Sequence, residues 1–358
     1  MWGNNMKKIL VIIIILISIT FSAAALELQE GRMKLVLHES SGRISVFYQN
    51  KLVSEEYTSL LLKQDPRTSG IILLVDNRTQ RLGDTFEYDQ TVSETRSGAE
   101  FVWTSKTLNV TESFSFVTSV NSSIADGIKI DITIENISEE TLSIGLKYLF
   151  DTWLGEKSRG KPHFYTSDEA EISSETVLQG ILPDYWSSSE RFNSEVGLLM
   201  MLDNTVVTQP DKVIFANWKR LDESGWTLNT KADRNFNLLP YSINDSAVSH
   251  YYEPIRVPEG GKRKITLVLG NVSDSGFSTA LESTGTSTLD DLYNRISTES
   301  SGLQSVDNSI KNELTLTEDI ITHIDRLIDS DEPLSDDELE TLSTMIETLE
   351  KNRNKFED

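Results

Sequence analysis

Gly127-Ile-Lys-Ile-Asp-Ile-Thr-Ile-Glu-Asn136, followed by Leu142-Ser-Ile-Gly-Leu-Lys-Tyr-Leu-Phe-Asp151, decides the fold class. Ile128, Ile130, Ile132 and Ile134 alternate with Lys129, Asp131, Thr133 and Glu135. Successive side chains of a strand point to opposite faces, so this pattern specifies one apolar face and one wet face. Asn136-Ile-Ser-Glu-Glu140 supplies turn formers, and the chain returns as a second strand.

Similar signals run outward in both directions. Lys34–His38, Arg43–Tyr48 and Ser59–Lys63 open the series, with Ser40-Ser-Gly42 as a turn. Ile71–Val75 is continuously apolar, as in a strand buried on both faces. Phe101 and Trp103, Leu108 and Val110, then Phe114 and Phe116 predict a meander. Val196–Leu202, Val213–Asn217, Ser249–Tyr252 and Lys264–Leu269 follow. Within this span only Asp168–Gln179 reads as helix. Many short strands without long intervening helices predict a mainly β chain, a large antiparallel sandwich over residues 26–272.

The two ends read differently. Lys7-Lys8, the apolar run Ile9–Phe21 and Ser22-Ala-Ala-Ala25 form a signal peptide over residues 1–25, cut before Leu26. The run is short of the ~20 residues a membrane span needs. The expected location is periplasmic or secreted, with no span after cleavage. Residues 273–302 are rich in serine, threonine and glycine and read as a linker with a short helix. Over residues 303–358, Leu303, Val306, Ile310, Leu314, Ile321, Ile324 and Ile328 form one helical stripe. Pro333 ends it, Ser335-Asp-Asp-Glu338 is a capping box, and Leu339, Leu342, Met345, Ile346 and Leu349 form a second stripe. This predicts an acidic, coiled-coil-like helical hairpin that docks a protein partner.

The formal charge is -23, and the chain has no cysteine. From Gln304 to Asp358, 16 acidic residues face five basic ones, a net of -11. Such a surface repels phosphate backbones, which excludes nucleic acid as a partner. Without disulfides, core burial must hold the sandwich. Asn-x-Ser/Thr occurs at Asn77, Asn109, Asn121, Asn136, Asn244 and Asn271, read here as turn chemistry.

Candidate chemistry gathers after Asp151. Thr152-Trp-Leu-Gly-Glu156 leads to His163-Phe-Tyr165, so Asp151, Glu156 and His163 are candidate acid–base residues, with Glu253 as another partner for His163. Trp153, Tyr185, Trp186, Trp218 and Trp226 are candidate sugar-binding residues, because flat aromatic faces cover the apolar faces of sugars. The other reading of these rings is core packing. Asp329, Asp331, Asp337 and Glu340 have partial calcium-loop spacing, but Pro333 and Leu334 stand where the loop must turn. No metal site and no cofactor is expected.

A strand that reaches Glu135-Asn-Ile-Ser138, turns and returns to Asp151-Thr152 resembles the galactose mutarotase-like supersandwich of aldose epimerases and glycosidase-associated domains. So does Tyr252-Glu-Pro-Ile-Arg-Val-Pro-Glu-Gly-Gly-Lys-Arg-Lys-Ile-Thr-Leu-Val-Leu-Gly270, where a proline-glycine turn precedes a final core strand. The resemblance covers residues 28–272. It implies a sandwich and, in the epimerases, a histidine acid facing a glutamate base. The Asn-His-aromatic signature of those enzymes is absent, so their catalytic residues are not carried over. The first expectation is an exported non-catalytic binding or scaffold protein of the envelope, its sandwich binding carbohydrate or envelope glycan and its hairpin docking a partner. The alternatives are an epimerase-like carbohydrate-active enzyme using Asp151, Glu156 and His163, and a purely structural envelope or surface-appendage component.

Overall fold

The computed structural model describes residues 25–282, apart from 51–55, 63, 85, 120–121, 123, 157–163, 192–193, 274–275 and 278–280. The signal segment, most of the linker, the helical hairpin and His163 lie outside the described residues. Among those described, no helix is long and apolar enough to cross a membrane.

The first four strands form a sheet of their own in the order of the chain: β1 (Ala25–Glu30), β2 (Met33–His38), β3 (Arg43–Gln49) and β4 (Tyr57–Ser59). A turn of 3-10 helix, Pro66–Thr68, leads to β5 (Gly70–Val75) and β6 (Arg78–Arg81). β7 (Asp89–Thr95), β8 (Gly98–Thr104) and β9 (Leu108–Thr118) make the meander, with Phe114 and Phe116 on the same strand as Leu108 and Val110. Then come β10 (Gly127–Asn136), β11 (Leu142–Asp151), β12 (Phe164–Thr166), β13 (Glu171–Ile172) and β14 (Thr176–Gln179). β15 (Tyr185–Ser189), β16 (Gly197–Met201), β17 (Lys212–Asn217), the short helix α1 (Trp218–Glu223), β18 (Ser246–Val257) and β19 (Lys262–Asn271) close the body. β20 (Leu281–Glu282) pairs with β9.

Two larger antiparallel sheets enclose the main core. One has the order β13-β12-β15-β16-β19-β10-β9-β8-β7, and the other β14-β17-β18-β11-β5-β6. The two strands that decide the fold class do not pair. β10 lies between β9 and β19, and β11 lies between β5 and β18 in the opposite sheet. The turn is thus an arch between layers, a correction to the simple return read from the sequence. The reason is burial: β10 hides one face, as its isoleucines require, but β11 is buried on nearly every residue and needs cover on both sides. Its outer face lies under α1 and the loop behind it, where Leu149 packs with Ile214, Leu221, Ala247 and Tyr251.

β18 and β19 repeat this arch beside the first, and Asn136 ties the two together. Its amide donates to Glu140 O (2.7 Å) and Val257 O (2.9 Å). Its backbone exchanges bonds with the Gly260-Gly261 turn, where Gly260 takes φ +66°, a conformation open to a residue without Cβ. Asp168–Gln179 forms no helix. Its apolar residues fall on β13 and β14, which lie in different sheets with Glu175 in the crossing between them.

Candidate functional site

β11 ends at Asp151 against the 3-10 turn. The Asp151 amide donates to Ser69 Oγ (2.9 Å), and the Asp151 carbonyl accepts from Leu62 N (3.0 Å). Thr152 then locks onto the start of β18, donating from Oγ1 to Ser246 O (3.0 Å). The chain turns through Gly155 at φ +84°, which brings Glu156 back to the same place. Glu156 Oε1 accepts from Ser246 N (2.8 Å) and Ser246 Oγ (2.9 Å). Asp245 immediately precedes Ser246; its carbonyl accepts from Asn217 Nδ2 (3.0 Å), and the nearby Ser242 and Asn217 side chains favour the ionised form of its carboxyl. Two indoles attach alongside, Trp153 through Nε1 to Ser59 O (2.9 Å) and Trp218 through Nε1 to Thr68 O (2.9 Å). Both rings are half-buried.

Three carboxyls thus share one corner, and among the described residues no lysine or arginine is ion-paired with any of them. Asp151 is only 2% exposed. Burial first, then the charges of Asp245, Glu156 and Asp222, push its pKa up to about 8. Burial raises Glu156 to about 7 against the opposing Ser246 bonds, with the Asp245 charge adding to the rise. Burial raises Asp245 as well. The nearby Thr68 hydroxyl, which donates to Asp65 O (2.8 Å), opposes part of the rise at Asp151. One carboxyl that keeps its proton beside one that titrates near neutrality can give and take protons at a bound hydroxyl. Among the described residues no cluster of three or more acidic, histidine or cysteine groups is disposed to hold a metal ion.

The structure brings Asp151, Glu156, Trp153 and Trp218 to one corner and separates the other candidates. Trp186 is fully buried, edge-on to Phe164 and Phe215, where no ligand reaches it. Its Nε1 donates to His250 Nε2 (2.9 Å), and burial holds His250 down to about 3, so this histidine is neutral. Trp226 packs edge-on against Tyr251, and Tyr185 lies with Met201 and Phe277. Glu253 is ion-paired with Lys212. Asp245 is the residue that the sequence reading misses. Its one local signal is Asn244-Asp-Ser246, where Asn244 turns the chain at φ +53°.

No protein-family model and no curated protein matches the sequence. Among solved structures, the fold is similar to a galactose mutarotase related enzyme from Lactobacillus acidophilus, at 9% identity and a TM-score of 0.42, covering 72% of this chain and 100% of that one. It is also similar to a galactose mutarotase-like protein from Lactobacillus casei, at 9% identity and a TM-score of 0.42, over 70% of this chain and 100% of that one. An aldose epimerase homologue from C. elegans aligns at 8% identity and a TM-score of 0.43, over 70% and 100% respectively.

Proposed function

We propose that this chain is an exported carbohydrate-active protein whose Asp151–Glu156 corner exchanges protons at the anomeric centre of a sugar. The observation that carries the reading is the juxtaposition of three carboxyls, without a paired cation among the described residues, near two half-buried indoles. Structural carboxylates in a core are ordinarily paired with cations, so such a cluster points to use rather than support. In the proposed step, ionised Glu156 takes the proton of the anomeric hydroxyl. The ring carbon–oxygen bond opens as the ring oxygen receives a proton delivered from the Asp151 side. Closure on the other face reverses both transfers, so neither group is consumed. The expected rate profile rises with Glu156 ionisation near pH 7 and falls with Asp151 ionisation near pH 8.

A second reading is binding without turnover, and the depth of Asp151 favours it, because a group 2% exposed meets a ligand only if the corner opens. Anomer exchange followed by polarimetry or NMR on the purified chain separates the two. The catalytic reading expects exchange above the buffer rate, and a loss of roughly 100-fold or more in both Glu156→Gln and Asp151→Asn. Saccharide binding with no exchange supports the second reading. Absence of both overturns the carbohydrate assignment.

A further inference from the structure

The segment between α1 and β18 ends in a tip that the acid–base site leaves unexplained. Leu239, Tyr241 and Ile243 are 71%, 74% and 70% exposed, and Leu238 bridges Ser242 across them. Three large apolar side chains held in solvent cost a soluble protein, and such clusters ordinarily mark a recognition surface.

This tip is a built display. At its base Phe236 is buried beside Phe164 at 5.7 Å between ring centres. The fully buried Asn217 donates to Phe236 O (2.9 Å), Ser242 Oγ (3.0 Å) and Asp245 O (3.0 Å), so one side chain holds both stems. Arg220 Nη2 donates to Asn237 O (2.8 Å), and Asn244 N to Asn237 Oδ1 (2.7 Å). A tip ordered before binding loses little entropy when it binds.

It is also continuous with the three-carboxyl corner. Asn217 Nδ2 joins Ser242 Oγ, between Tyr241 and Ile243, to the Asp245 carbonyl (3.0 Å each). Lys219, next to Trp218, lies 5.7 Å from the Tyr241 ring centre. The apolar tip and the Asp245 carboxyl therefore rise from one hydrogen-bonded stem. That combination matches a sugar ring, which presents C–H groups on its faces and hydroxyls at its edge.

We propose that the Leu239–Ile243 tip is the outer wall of the saccharide site, with the Tyr241 ring as its stacking platform. It rests on the carbohydrate reading above and adds the residues that grip the substrate. Through them the site favours a chain of at least two sugars, one at the carboxyls and the next on Tyr241.

The test is calorimetric titration of the full chain with neutral glucose, galactose, mannose and xylose saccharides of one to four units. Wild type is expected to bind a disaccharide or longer more tightly than its monosaccharide. Tyr241→Ala should weaken that binding roughly three- to tenfold, and Tyr241→Phe should stay within about twofold. Monosaccharide affinity should be unchanged in both. Because the ring is exposed, both variants should keep the wild-type melting temperature. If Glu156→Gln impairs saccharide binding or turnover while Tyr241→Ala binds every length as wild type does, the tip proposal falls and the site reading stands. Self-association abolished by Tyr241→Ser, with saccharide affinity untouched, assigns the tip to a second copy and overturns the proposal. If no saccharide binds or is turned over by wild type, both readings fall together.

Discussion

At Glu175 and at Asp151 the chain leaves one sheet for the other beside a buried carboxyl, and the surroundings differ in sign. Glu175 is sealed from water and ion-paired with Arg220 and Arg234, and it accepts from Lys231 N (2.9 Å). These partners pin the 228–245 segment to the sandwich. Asp151 has no such cation among the described residues, and its nearest charged neighbours are Asp245, Glu156 and Asp222. The first arrangement holds the fold together. The second raises the energy of the ionised acid and keeps it protonated, which is what proton transfer requires and what stability alone would select against.

The largest expected effect separates the two directly. Glu175→Ala leaves two partly buried guanidinium groups without their acceptor and should cost about 3–5 kcal/mol of unfolding free energy in urea titrations. A loss under ~1 kcal/mol would place Glu175 with the surface pairs instead.

Asp151→Asn should do the reverse. The unfolded carboxyl ionises near 3.8, while the folded one holds its proton up to about 8. Its contribution to stability is therefore full below pH 4 and declines as pH rises towards 8. At about 1.4 kcal/mol per unit, and with allowance for water entering the corner, the variant should be more stable than wild type by about 2–4 kcal/mol at pH 8. At pH 4 the two should be equal. A variant less stable than wild type at pH 8 would remove the contrast with Glu175.

Asn136 offers a neutral crossing between these extremes. Asn136→Ala strands the buried Val257 carbonyl and cuts the tie to the Glu140 carbonyl, and should cost about 1–3 kcal/mol, with little pH dependence between 5 and 8. The smallest effect belongs to Trp218→Phe, which removes the bond to Thr68 O but keeps most of the ring. It should cost about 1 kcal/mol and loosen the corner around Asp151, seen as faster amide exchange at Ser69 and Asp151.

The sequence carries the strands and their faces well, and carries poorly where those strands go. Alternation in β10 states that one face is buried, and the structure buries Ile128, Ile130, Ile132 and Ile134. Alternation does not say which sheet a strand joins, so the arch from β10 to β11 is not legible, although the unbroken burial of Lys147–Asp151 is its physical cause. β13 and β14 are too short to show a period, and so Asp168–Gln179 reads as helix. Within the site, Asp151 and Glu156 are close in sequence and are found. Asp245 arrives from the far side of the sheet, through pairing of β11 with β18, and nothing local announces it. Aromatic richness marks the region but cannot separate the half-buried Trp218 from the fully buried Trp186.

The paired arches also bear on the order in which the protein is made. β10 and β11 each gain one flanking strand from earlier in the chain, β9 and β5, but their other partners are β19 and β18, from Gly127 matched with Gly270 to Leu142 matched with Val257. The middle of both sheets therefore stays open along one edge until more than a hundred further residues have been synthesised. Contacts this distant in sequence form slowly. The body is therefore self-sufficient only once its last core strand, β19, has left the ribosome.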